Sequence, residues 1–243
     1  MLFALTNDDG IDAPGIAALE QAVQLASEQA ASIPKLAAIA KAKTLICAPL
    51  LPHSGCSHQL TTGSSIMAEP KGKDRYAIHG TPGDCTRLAI ANLAPQANWI
   101  LAGINAGGNL GVDVYYSGTV AAAREAAING YCAISISHWI RRPLKLDWEV
   151  AARWTGKILL ELLAKDLPPK HFWNVNIPHL PPESPEPEIV YCSVDTEPLL
   201  LEFKQSEKTH FQYAGSYSDR PRQPGTDVDV CFNGQISVSL ISV

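Results

Sequence analysis

What most restricts the fold of this chain is an alternation: a short apolar run, a polar loop, a helical pattern, then another apolar run. Residues 2–6 are apolar and stop at Asn7, Asp8, Asp9 and Gly10. From Pro14 onward, Ile16, Leu19, Val23 and Ala26 recur at the spacing of a helix with one buried face. A proline suits the first helical turn, where its missing N–H has no partner to lose. Residues 44–48 form the next strand candidate and end at Pro49. Strand, loop, helix, strand is the unit of a parallel sheet. The cycle then repeats. A strand is predicted at 76–79, followed by a helix capped by Thr81 with Pro82 and Asp84 behind it and running to about residue 93. Strands follow at 99–102, 132–137 and 173–177. Helices are predicted over 119–129 and 147–163, the first of them behind a glycine-rich loop at 103–118. The fold class is α/β, with a mostly parallel sheet.

The pattern changes after residue 177. Residues 178–187 contain five prolines, which cannot continue a regular helix. From 189 to 243 the chain alternates and turns without a clear helical period, with a last strand at 236–240. This predicts an α/β core over residues 1–185 and a β-rich C-terminal appendage over 186–243. Residues 30–43 read as an insertion or an extended helix end.

Bulk properties exclude several functions. Asp plus Glu (24) exceed Lys plus Arg (19), giving a net charge of −5. Neutralising a nucleic-acid backbone needs clustered cations, and the tightest basic group, Arg141, Arg142 and Lys145, reads as a surface loop. No nucleic-acid polymer is expected as a partner. The six cysteines form no CxxC pair, which argues against a zinc ribbon or a thioredoxin motif. Cys47 and Cys132 sit in apolar runs, where a thiol packs as a small hydrophobe. The N-terminus has no basic region ahead of an apolar stretch, and no apolar run approaches the ~20 residues that span a bilayer. A cytoplasmic location without membrane attachment is the expectation.

Four loops follow predicted strands, on the sheet edge where open α/β folds bind ligands. In the first, Asp8 and Asp9 place two carboxylates at the end of a buried strand. Their repulsion is relieved by a divalent cation, although the same residues also serve as a turn or a helix cap. The second runs through His53, Ser54, Gly55, Cys56, Ser57 and His58. Its two histidines lie five apart with no soft third ligand, so a hydroxyl ligand or phosphate donor at Ser54 fits better than zinc. A plain polar surface loop is the alternative. The third, from Gly103 to Gly111, matches neither the GxGxxG fingerprint nor a Walker A loop. Its glycines let backbone approach a ligand, and the Asn105 amide oxygen is placed to reach a metal. The fourth puts Ser117, Gly118 and Thr119 at a helix N-terminus, which favours an anion. An ordinary Ser/Thr cap is the commoner use.

Taken in order, Asn7-Asp8-Asp9-Gly10, Ser54-Gly55, Gly80-Thr81-Pro82 with Asp84-Cys85, Gly103-Ile104-Asn105-Ala106-Gly107 and Tyr116-Ser117-Gly118-Thr119-Val120 resemble the SurE survival-protein family over residues 1–140. Later stretches at 174–178, 224–227 and 236–238 resemble further landmarks of it. The resemblance implies a Rossmann-like, doubly wound core and a metal-dependent phosphomonoesterase acting on nucleoside 5′-monophosphates. It implies one divalent cation per subunit, Mg²⁺ or Mn²⁺, on Asp8, Asp9, Ser54 and Asn105. Asp8 or Asp9 would act in catalysis, and Asn7, Gly55, Asn105, Ser117, Gly118 and Thr119 would contact phosphate. It also implies a homodimer or homotetramer, with an oligomerisation hairpin and a strand returning to the core within 186–243. Three departures stand out. Residues 48–53 lack the usual charged stretch before Ser54, residues 30–43 are longer, and the sequence ends after the 236–240 strand, where a C-terminal helix is usual.

Rival chemistries fit less well. A haloacid-dehalogenase phosphatase needs Asp-x-Asp, whereas Asp8 is followed by Asp9 and Gly10. A serine hydrolase needs a G-x-S-x-G elbow, which is missing. The alternative outside enzymes is a non-catalytic nucleotide- or phosphate-binding module of the same fold.

Overall fold

The computed structural model describes residues 1–33, 36–181 and 183–243. Pro34 and Lys35, inside the 30–43 stretch, and Pro182, inside the proline-rich run, lie outside the described residues. The chain forms β1 (Leu2–Thr6), α1 (Pro14–Ala30), β2 (Lys43–Pro49), β3 (Ala68–Gly72), β4 (Arg75–Ile78), α2 (Pro82–Leu88), β5 (Trp99–Ala106), α3 (Gly118–Ile128), β6 (Cys132–His138), α4 (Trp148–Leu162), β7 (His171–Ile177), β8 (Ile189–Tyr191), β9 (Phe203–Glu207), β10 (His210–Tyr213), α5 (Asp227–Phe232) and β11 (Ile236–Ser242).

Nine strands make one sheet in the order β3-β4-β2-β1-β5-β6-β7-β11-β8. Neighbours run parallel except β3 with β4 and β7 with β11. The doubly wound, mostly parallel reading is therefore the observed architecture. Alternation along each strand feeds two cores. Phe3, Leu5, Leu101, Ile134 and Val175 face α1 and α4, where Ile16, Leu19, Val23, Ile158 and Leu159 close the layer. Ala4, Cys47, Ile100 and Ala133 face α2 and α3, where Cys85, Val120, Ala123 and Ala126 close the other. Each fully buried Leu or Ile contributes about 1.5–3 kcal/mol. The second layer is built largely from alanines, so α3 lies close to the sheet. On the first face, Gly15 brings α1 against β5: a Cβ there would stand 2.0 Å from the Ile104 carbonyl oxygen.

The crossovers from β1 to β2 and from β4 to β5 leave on opposite sides of β1. The chain order thus reverses between β1 and β5, and a crevice opens beyond their carboxyl ends. This topology positions the site.

Several boundaries differ from the sequence reading. β5 does not stop at residue 102 but continues to Ala106, so Asn105 is paired with Ser137 of β6 instead of lying in a loop. A register shift between Ala102 and Asn105 absorbs Gly103, whose glycine reads locally as a breaker. The 119–129 helix starts one residue earlier, because Ser117 caps it. The helix begun at Pro82 keeps its predicted capping box, Thr81 with Asp84, but its last turn, Ala89–Leu93, widens to a π-helix. Residues 68–72 form an edge strand with no apolar period to reveal it. A helix, α5, interrupts the stretch read as helix-free. It is six residues long, too short to show a period, and buries Val228, Val230 and Cys231. Helix α1 ends at Ala30, and turns follow in which Leu36 and Ile39 pack back on Ala30. Cys132 is only half-buried, while Cys47 is buried as its apolar run suggests, and all six cysteines are free thiols.

Candidate active site

The site starts with a turn. Asn7 donates from its amide to the Gly10 carbonyl at 2.8 Å and accepts from the Gly10 N–H at 3.2 Å. Both ends of the Asn7 side chain thus close the turn that ends β1 and present Asp8 and Asp9 beyond the strand.

The two carboxylates are held differently. Asp8 is 5 % exposed, and its Oδ1 accepts from the Thr119 hydroxyl in a short contact. Burial pushes its pKa up to about 6, the Thr119 bond opposes that, and the neighbouring charge of Asp9 adds to it. Asp9 is half-buried, and its Oδ2 accepts from the Ala106 N–H at 3.1 Å, tying it to the end of β5. Gly118 makes room for this packing. A Cβ at position 118 would lie 3.0 Å from the Asp8 Cβ, 3.1 Å from its Oδ2 and 2.9 Å from the Cys56 sulfur.

Ser54 stands on the loop after β2, which is anchored from three sides. The His53 N–H donates to the Asp8 carbonyl at 2.7 Å. The Ser57 N–H donates to the Tyr116 carbonyl at 3.0 Å and its hydroxyl to the Tyr115 carbonyl at 2.7 Å. His58 meets the buried Glu125 carboxylate at 2.9 Å, which also receives Arg87 at 2.9 Å. Asn105 donates its amide to the Gly107 carbonyl at 2.8 Å, which fixes the amide plane. Among the described residues nothing donates to its Oδ1. Ser117 caps α3 by accepting from the Val120 N–H at 3.0 Å, the commoner role foreseen for it.

Asp8, Asp9, Ser54, Gly55, Asn105 and Ser117 line one open cleft of about 280 Å³, together with Ala106, Gly108, Asn109, Asp113 and Tyr116. Of the residues singled out from sequence, Asn7, Gly118 and Thr119 lie just behind this lining. Asn7 holds the turn, Gly118 packs on Asp8, and Thr119 holds the Asp8 carboxylate. Larger depressions exist, one of about 860 Å³ beside Met1, Lys41 and Lys73, but they lack this convergence of carboxylate, amide and hydroxyl oxygens.

Residues outside the sequence reading complete the walls. Asp113 accepts from the Tyr217 hydroxyl at 2.5 Å and from the buried Arg220 at 2.7 Å, which ties residues 217–220 to the cleft. Glu125 was signalled only by a lone carboxylate inside an alanine-rich run, and its partner His58 was weighed as a zinc ligand. Among the described residues no cluster of three His, Cys, Asp or Glu side chains forms. The four residues expected to hold a cation, Asp8, Asp9, Ser54 and Asn105, offer two carboxylates, a hydroxyl and an amide, all hard oxygens of the kind that bind a divalent cation.

Residues 3–197 match the profile of the family described as survival protein SurE. A relative from Synechocystis sp., bearing a provisional 5′-nucleotidase name, is 49% identical over the full length of both chains. The 5′-nucleotidase SurE of Halorhodospira halophila is 33% identical and is matched over 100% of this chain and 92% of its own length. The crystal structure of the SurE protein from Aquifex aeolicus superposes with a TM-score of 0.83 at 27% identity, covering 100% of this chain and 93% of that one.

Proposed function

We propose, from the premise that this chain belongs to the survival protein SurE family, that it is a 5′-nucleotidase hydrolysing nucleoside 5′-monophosphates to nucleoside and phosphate. The observation that best supports this reading is the meeting of Asp8, Asp9, Ser54 and Asn105 in one cleft at the point where the strand order reverses. Fold likeness alone would not locate chemistry, and this oxygen-only donor set is what supports placing it here. Asp8, Asp9, Ser54 and Asn105 would hold one divalent cation, Mg²⁺ or Mn²⁺. When bound, such a cation polarises a phosphoryl oxygen and lowers the pKa of water.

The chain's own groups do the rest. Thr119 and the Ala106 N–H fix the two carboxylates, so little reorganisation is needed when charge develops. Ser117 and the first turn of α3 offer a positive dipole end to the phosphoryl oxygens, with Gly55 across the cleft. Asp8 or Asp9 takes the proton of the attacking water. The fold division at residue 185, an assembly of two or four copies through the C-terminal segment and a reducing, cytoplasmic setting belong to the same proposal. The six free thiols fit such a setting.

Phosphate release from nucleoside 5′- and 3′-monophosphates, measured with EDTA and then with Mg²⁺ or Mn²⁺, tests the reading. Release restored by metal and reduced roughly a hundredfold or more in Asp8→Asn is expected, since direct metal assistance supplies several kcal/mol. A folded protein that releases no phosphate with any metal would be a binding module instead.

A further inference from the structure

The cleft has one aromatic wall that the chemistry of phosphate does not use. Tyr116 lines it beside Ser54 and Ser117, yet the residue is 58% exposed. Its position is fixed through the backbone: the Tyr116 N–H donates to the Asp113 carbonyl at 3.0 Å, and the Tyr116 carbonyl accepts from Ser57 at 3.0 Å. Among the described residues its hydroxyl has no hydrogen-bond partner. A ring held at the mouth of a polar cleft, with its faces uncommitted, is a stacking platform, and every nucleobase has a π-face to place on it. The preceding Tyr115 is exposed to a similar degree, 66%, but does not line the cleft.

We infer that Tyr116 is the residue that recognises the base, stacking on the nucleobase of a nucleoside monophosphate whose phosphate lies over Asp8 and Asp9. The inference rests on the nucleotidase reading and adds to it what separates a nucleotide from other phosphate esters. Stacking discriminates poorly among bases, so the site accepts all of them and favours the larger purines. Recognition of this kind acts on KM more than on kcat, because the ring touches no reacting atom.

The test compares kcat/KM for adenosine 5′-monophosphate with that for ribose 5-phosphate, which has the same phosphate ester but no base, in the presence of Mg²⁺. In Tyr116→Ala and Tyr116→Leu the ratio falls roughly tenfold, mainly through KM, as expected for losing one base–aromatic stack. Tyr116→Phe and Tyr116→Trp keep it. Tyr115→Ala, the control for a general loss of exposed aromatic surface, leaves the ratio at the wild-type value. Leu and Trp bracket the ring by volume, so a misfolded Ala variant does not decide the outcome. An unchanged ratio in Tyr116→Leu, with the wild type active on both esters, overturns this inference alone. A wild type inactive on both overturns the nucleotidase reading and this inference with it.

Discussion

At the residue scale, the position of Asp8 depends on two neighbours that do opposite things. Thr119 donates to it, and Gly118 stays out of its way. Thr119→Val keeps the volume and removes the donor. A hydrogen bond to a charged group is worth about 1.5–3 kcal/mol, so this variant should need more metal for half-maximal activity and turn over more slowly. A metal titration of phosphate release checks both. Gly118→Ala tests the space. Alanine's advantage over glycine belongs to helix interiors, whereas here the added methyl crowds Cys56 and Asp8, so Tm should fall by the equivalent of about 1–3 kcal/mol. The added methyl at 3.0 Å from the Asp8 Cβ should displace the carboxylate and lower kcat. A thermal melt beside a kinetic assay separates the two, and an unchanged kcat would show that the Asp8 position tolerates the shift. That Asp8, Asp9, Ser54 and Asn105 share one cleft is in line with the ordered motifs of the resemblance, whereas no single loop carried that signal alone. That the Thr119 hydroxyl holds Asp8, 111 residues away, was not signalled, because only the packing of α3 on β5 and β6 brings its N-terminus to the end of β1.

At the element scale, β6 ends in a buried histidine. The His138 Nδ1 bonds the Trp139 carbonyl at 2.8 Å, and the ring meets His179 edge-on at 5.2 Å. Burial, together with the nearby His179 and against the Trp139 bond, lowers its pKa from 6.5 to about 4. The unfolded chain therefore binds a proton over this window that the native state does not. Its contribution is fully present above pH 6.5 and is lost as pH falls through 4, by about 3 kcal/mol in all. Asp8 and Asp227, pushed up to about 6 by burial, act in the opposite direction over about pH 4–6. The isolating measurement is thus the difference between wild type and His138→Gln. At pH 7 the variant should be the less stable, and the gap should close as urea midpoints are followed down to pH 4. A gap independent of pH would mean that His138 is not buried as a neutral ring. No sequence period marked this histidine. Strand type and order were legible from apolar runs, whereas strand ends were not: at Gly103 a local breaker signal lost to pairing with β6.

At the scale of the whole molecule, the resemblance implies a strand returning to the core within 186–243 but not which strands it joins. β11 returns to lie between β7, antiparallel, and β8, parallel, so the C-terminal strands extend the main sheet. Nothing local specifies those neighbours, since the pairings join distant segments, Ser237 with Asn176 and Ile236 with Ile189. The β9–β10 hairpin does the reverse. Among the described residues it pairs only with itself, every residue of both strands is exposed, and Phe203, Phe211 and Tyr213 present apolar surface. A lone two-stranded hairpin is marginal in water, and backbone hydrogen bonds so exposed open readily. Contiguous exposed apolar surface marks an interaction site, which agrees with the proposed assembly of two or four copies through this segment. Amide exchange then depends on concentration. At high dilution, residues 203–213 should exchange among the fastest in the chain, far ahead of β1, β5 and β6. At concentrations where copies associate, they should become protected while the sheet stays as it was. Fast exchange of the hairpin at every concentration, in a sample that sedimentation shows to be oligomeric, would place the assembly contact elsewhere on the molecule.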